Sequence, residues 1–314
     1  MSIKIQKLNI PKFSSDKYIL EDKLTNAVEV AIALGQPLLL TGEPGTGKTL
    51  LAYKVAAELA NAYPEFAPTP LVFNTKTTSS AKDLFYTYDA LSHFQAANVK
   101  SKGEITAHTA DFIELQALGK AIAQTNPQHV DQSKFKTPLE KDPRSMVVLI
   151  DEIDKAPRDF TNDILHEIEN YRFAIKEQDN FEIKKGEEHQ IVVIMTSNSE
   201  KNLPDAFLRR CVFFNIEFPE DKLAQIVKAN LGQSTKFTGE ALEKILKLFK
   251  TIRSTAVRKS PATAELVAWL RILEINGFLD KDPQAQKEQI LDNLSILVKT
   301  QEDLRAVEDM LKKM

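Results

Sequence analysis

Cysteine is nearly absent from this chain: Cys211 is the one thiol in 314 residues. No intrachain disulfide can form, which fits a reducing compartment. Cys211 itself is expected to be a small buried apolar side chain. Long apolar runs are also missing. The longest, "MVVLI" and "IVVIM", are strand-length and far below the ~20 residues that span a bilayer. The N-terminal "MSIKIQKLNIPKF" has no apolar h-region, so no signal peptide is expected and the protein is predicted to be cytoplasmic. Neither sign of charge dominates: 41 Lys and Arg face 44 Asp and Glu, for a net charge of −3. No whole-chain field attracts nucleic acid, which is not an expected partner, although a local basic groove stays open. Five histidines are scattered, and "HEIEN" lacks the second His of a zinc-protease motif, so no zinc site is predicted. No Gly-x-Ser-x-Gly elbow is present. What remains is an ordinary balance, 43% hydrophobic and 27% charged, in a length that allows two domains.

Short apolar runs alternate with helical patterns up to about residue 218. Strands are expected at 37–40, 70–74, 146–150 and 191–195. Helices are expected over 22–34, from Lys48 onward, over 79–98, over 111–124 and over 161–173. Residues 98–110 suggest a turn or small hairpin, 125–145 a long surface loop, and 173–190 a hairpin with a Gln-Asp-Asn or Lys-Gly turn. Such alternation predicts an α/β fold with a parallel sheet covered on both faces. Beyond Pro219 the pattern is helical throughout. The predicted domains are therefore 1–218 and a smaller helical domain, 219–314.

Gly42-Glu43-Pro44-Gly45-Thr46-Gly47-Lys48-Thr49 matches G-x-x-x-x-G-K-[ST] between a strand and a helix. The chemistry explains the composition. A polyphosphate needs inward-pointing backbone N–H groups, and glycine lets the chain curl tightly enough to supply them. The helix that follows offers its positive end to the anion. Lys48 is placed to reach the β- and γ-phosphates, and the Thr49 hydroxyl to ligate Mg²⁺.

"MVVLIDEIDK" ends a strand on Asp151 and Glu152. Neighbouring side chains on a strand diverge, so Asp151 can hold the Mg²⁺ shell while Glu152 activates a water as general base. "IVVIMTSN" ends another strand near Asn198, whose amide can bond the γ-phosphate or that water. Asn74, at the end of "LVFN", either restrains Glu152 or is a turn residue. Arg209 and Arg210 precede "VFFNI". They are either surface ion-pair partners or a guanidinium supplied to a neighbour's site.

Together, "GEPGTGKT", "LIDEIDKAPRDF", "TSNSEKNLPDAFLRRCVFFNIEFP" and "DLFYTYDALSHF" resemble the AAA+ ATPases, and within them the MoxR family. The resemblance covers roughly residues 18–218, and the helical remainder looks like the AAA+ lid. It implies a P-loop αβα core with a helical lid, ATP and Mg²⁺ as cofactors, and a homo-oligomeric, hexameric ring. It makes Asn198 the first sensor and Arg210 the finger reaching the next subunit, with Arg209 its rival, and puts Tyr18 and Ile19 near the adenine. It further implies chaperone-like ATP hydrolysis, often with a partner bearing a von Willebrand factor A domain. The alternatives are a nucleic-acid-directed motor or loader and a non-catalytic assembly switch. Segments 98–110 and 173–190 would be pore-facing hairpins. One departure stands out. The lid arginine of a second sensor is missing from "VRKSPATAEL", where Ser260 reads as N-cap and Pro261 as the first helical residue. Either Lys259 or Arg258 substitutes, or the helix N-terminus alone faces the phosphate.

Overall fold

The computed structural model describes residues 15–99, 108–198, 203–232 and 234–313. Helix α1 (Asp22–Leu34) leads into strand β1 (Leu38–Gly42), and α2 (Lys48–Ala62) into β2 (Leu71–Asn74). There follow β3 (Tyr86–Tyr88), α3 (Ala90–Val99), β4 (Ile113–Leu115) and α4 (Ala117–Gln124). The chain then forms β5 (Met146–Asp151), α5 (Arg158–Asn170), β6 (Arg172–Ile175), β7 (Phe181–Lys184), β8 (Ile191–Thr196), α6 (Asp205–Leu208) and β9 (Val212–Ile216).

Five strands form one parallel sheet in the order β2-β5-β8-β1-β9, and helices flank it. The central runs are apolar because both faces are covered: every residue of β8 is buried, as are Met146–Ile150 of β5. In this order the C-terminal ends of β5, β8 and β1 lie side by side. That edge is where open α/β sheets bind ligands.

Two predicted helices start later than expected. Residues 81–99 make a short 3-10 turn, then β3, and only then α3. The Ser80 N–H donates to Asp83 Oδ2 (2.8 Å), a cap for that brief turn, and the β-favouring Tyr86 and Tyr88 pair with β4. Leu91 and Phe94 of α3 are exposed, so the apolar stripe assumed there does not face the core. Within 111–124 the helix begins only at Ala117. Ile113 and Leu115 are buried and Glu114 exposed, a period of two that belongs to a strand. The hairpin in 173–190 is present as β6 and β7, turning through Asp179 and Asn180 at φ 55° and 57°. Asx residues tolerate this left-handed geometry. Residues 125–145 contain two 3-10 turns and no strand or α-helix. The Gln124 amide pins this loop, donating to the Asp142 carbonyl (2.9 Å) and accepting from the Glu140 N–H (2.9 Å). Most of the segment 98–110 lies outside the described residues.

The chain divides into two compact units. The first holds Leu20–Gly42 and Gly47–Ile216. Of the described residues, the second holds 15–19, Glu43–Thr46, and those from Glu217 onward. Its helices are α7 (Leu223–Leu231), α8 (Gly239–Thr255), α9 (Thr263–Ile275), α10 (Pro283–Asp292), α11 (Leu294–Leu297) and α12 (Gln301–Lys313). Apolar faces of these helices converge on Trp269, which is fully buried with Phe249, Leu266 and Leu270. Helix α9 starts at Thr263, with Ala262 at the N-cap position, not at Pro261 after Ser260. The Ser260 hydroxyl donates instead to the Ala256 carbonyl (3.0 Å), and Glu265 reaches back to the Ala262 N–H (3.2 Å).

Candidate functional site

The phosphate-loop sequence joins β1 to α2. Gly42 has φ 138°, and a Cβ there would stand 2.3 Å from the Ile216 carbonyl oxygen of β9, so no side chain fits. Gly47 at φ 92° turns the chain into α2, a left-handed conformation open to glycine. Lys48 begins the helix. It is buried, and its Nζ donates to the Gly42 carbonyl (2.8 Å), spanning the mouth of the loop. The Thr46 hydroxyl donates to the Glu43 carbonyl (2.9 Å) inside the loop tip.

A cluster of oxygens stands beside Lys48 at the next residue. The Thr49 hydroxyl donates to Asp151 Oδ1 (2.9 Å). Asp151 ends β5 and Thr196 ends β8, and the Thr196 hydroxyl donates to the same Oδ1 at 2.6 Å. The Thr196 oxygen in turn accepts the Glu152 N–H (2.8 Å). Glu152 leaves the strand at φ 57°, an uncommon conformation for a residue with a Cβ. Its carboxylate pairs with Lys155, three residues on. That bond raises the Lys155 pKa. Thr49 and Asp151 therefore meet through their side chains, Glu152 joins them through its backbone N–H while its carboxylate faces Lys155, and Thr196, which the sequence reading missed, links the set. The signal was a lone hydroxyl closing an otherwise apolar strand.

Residues 37–211, more than half of the chain, match the family described as AAA domain (dynein-related subfamily). The chain belongs to that family. No curated protein matches it in sequence. Two solved structures of Thermotoga maritima RuvB point mutants are similar, at 16% identity with a TM-score of 0.41 and at 18% with 0.44. Each comparison covers 90% of this chain and 70% of the RuvB chain.

Other predicted residues of this AAA domain make no side-chain bond to the Thr49–Asp151–Thr196 set among the described residues, and their surroundings differ. Asn198 follows β8 with an exposed side chain, and its N–H donates to Asp154 Oδ1 (3.2 Å). Asn74 ends β2 opposite Asp151 in the strand register, but Glu152 is held by Lys155 and not by Asn74. Arg209 and Arg210 follow α6, both exposed, and Arg210 Nε lies 3.4 Å from Glu169 at the end of α5. Cys211 is half-buried, donates Sγ to the Phe207 carbonyl (3.3 Å), and has its pKa pushed up to about 12 by burial. It is less buried than expected, and its raised pKa disfavours the thiolate.

In the helical unit, Tyr18 and Ile19 are half-buried, and the Tyr18 N–H donates to the Ser15 carbonyl (3.2 Å). The N–H groups of Arg258 and Lys259 both donate to the buried Asp303 carboxylate (3.1 and 3.0 Å), which fixes the turn carrying them. The Thr263 hydroxyl donates to the Gly45 carbonyl (2.8 Å). Arg253 pairs with Glu43, donates to the Pro261 carbonyl (2.6 Å), and places its guanidinium 3.6 Å from the Phe218 ring centroid.

Among the described residues, no helix is long and apolar enough to cross a membrane, and no cluster of three or more His, Cys, Asp or Glu is poised for a metal. The Thr49 and Asp151 oxygens suit a hard cation that shares its remaining positions with phosphate and water.

Proposed function

We propose that this AAA domain hydrolyses ATP with Mg²⁺ and spends the cycle on remodelling or maturing a protein partner, as a MoxR-like ATPase. The observation that carries the proposal is the linked set Thr49–Asp151–Thr196–Glu152 beside Lys48, at the C-terminal edge of β5 and β8. In this account residues 42–49 bind the phosphates through backbone N–H groups and the Lys48 ammonium. Lys48 exchanges the Gly42 carbonyl for a phosphate oxygen, a charge-assisted bond in place of a neutral one. Thr49 and Asp151 would hold Mg²⁺, which neutralises charge on the β- and γ-phosphates when bound.

Glu152 takes the proton of a water that attacks the γ-phosphorus. The bond from the γ-phosphorus to the bridging oxygen breaks, and its electron pair leaves with ADP. Asn198 orients that water or the γ-phosphate. The proposed domains are a nucleotide-binding core over 1–218 and a lid over 219–314, with Lys259 supplying a second cation to the phosphates and Tyr18 and Ile19 lying by the adenine. Arg210, or else Arg209, acts on the site of the next subunit in a hexameric ring. A partner with a von Willebrand factor A domain belongs to the same proposal.

The test is Glu152→Gln, which keeps shape and removes the base. ATP should still bind, with an affinity within a few-fold of wild type. The kcat should fall at least about 100-fold, the scale of a lost general base. Wild-type turnover by this variant would overturn the assignment.

A further inference from the structure

Thr196 is among the most buried polar residues described, at 1% exposure. A hydroxyl has one proton to donate and two lone pairs to accept with. Here the proton goes to Asp151 Oδ1 (2.6 Å), and one lone pair takes the Glu152 N–H (2.8 Å). The placement follows from the sheet. Strands β5 and β8 run parallel with Ile150 opposite Met195, so the next residues, Asp151 and Thr196, meet where the ladder ends.

Beyond that point the chain must leave the strand, and it does so through Glu152 at φ 57°. A left-handed glutamate is strained, and such strain persists only where the surroundings impose it. The Thr196 bond fixes the start of that turn: it holds the Glu152 N–H, and with it the 151–152 peptide plane, at the end of the ladder. We propose that Thr196 is a positioning residue for hydrolysis, its single hydroxyl setting both the Asp151 carboxylate and the turn that aims Glu152. The inference rests on the ATPase proposed above and goes beyond it, because it gives the acid pair a shared mechanical support on the neighbouring strand. If Asp151 rotated away from Thr49 it would break its bond from the Thr196 hydroxyl, the same oxygen that accepts the Glu152 N–H.

Valine matches threonine in shape and offers neither bond, serine keeps both without the methyl, and alanine lacks all of it. The experiment compares Thr196→Val, Thr196→Ser and Thr196→Ala in the full chain. It measures kcat and KM for ATP, and site-resolved hydrogen exchange of the Glu152 amide without nucleotide. In Thr196→Val and Thr196→Ala, kcat should fall about 10- to 100-fold, the range expected when a bond to a charged group is lost. KM should stay within about twofold of wild type, because the loop that grips the phosphates is untouched. The Glu152 amide should be protected in wild type and Thr196→Ser and should exchange faster in the other two. Thr196→Ser should recover most of the kcat.

Undiminished kcat in Thr196→Val would overturn the proposal, as would a serine variant as impaired as valine, which would assign the effect to methyl packing. If Thr196→Val does not fold, the serine–alanine pair carries the same comparison. A wild-type protein without turnover would overturn the ATPase instead. The exchange data would then still decide whether the hydroxyl holds Glu152.

Discussion

Lys155 and Glu152 form an ion pair in which each side chain is nearly half exposed. Water screens such a pair, so its hold is weak. A carboxylate that activates water must leave it. Lys155→Ala is therefore expected to raise kcat, by about two- to fivefold for a screened pair, while Lys155→Arg leaves it unchanged. Steady-state phosphate release measures this, and a fall in kcat with alanine would instead make the lysine a helper. At the same scale, Cys211 shows how burial disarms a nucleophile. With its pKa pushed to about 12, the thiol keeps its proton at pH 8, and a thiol reagent should label it only after unfolding. The unfolded chain loses that proton from about pH 9 and the folded chain only near 12. The stability this group contributes is thus complete below 9 and declines as pH rises between those values. Rapid labelling of native protein at pH 8 would contradict the burial.

At the scale of elements, the sheet was legible because a parallel strand buried on both faces leaves a short apolar run that little else explains. The runs at 146–150 and 191–195 are β5 and β8, and the loop before Lys48 was legible from its glycines. The segments at 81–99 and 111–116 were not. Leu84, Tyr88, Leu91 and Phe94 fit a helical period, yet Tyr86–Tyr88 pair with Ile113–Leu115 across some 25 residues, and no local pattern announces that pairing. The start of α9 slipped by two residues because Ser260 bonds backward to Ala256 and leaves the helix to open at Thr263. The candidate site shows the same division. Lys48, Thr49, Asp151 and Glu152 each stand in a recognisable stretch of chain. Thr196 acquires meaning only from neighbours 44 or more positions away, Glu152 and Asp151.

On the scale of the whole molecule, the chain carries two separate cores, one around the parallel sheet and one around Trp269. The proposed ring asks more of the first than one copy supplies. Arg210 is exposed, and its Nε lies 3.4 Å from Glu169. If it completes the site of a neighbour, mixing Arg210→Ala with wild-type protein should lower turnover below the sum of the two separately. Additive turnover in the mixture would remove the finger role. All of these expectations depend on the loop that Lys48 spans. The most direct measurement is a calorimetric titration of Mg·ATP into the full chain and into Lys48→Ala. Saturable binding to one site per chain is expected in wild type, weakened about 10- to 100-fold by the substitution, as befits one lost charge-assisted bond. Equal affinity in the two proteins, or no binding to wild type, would contradict the account.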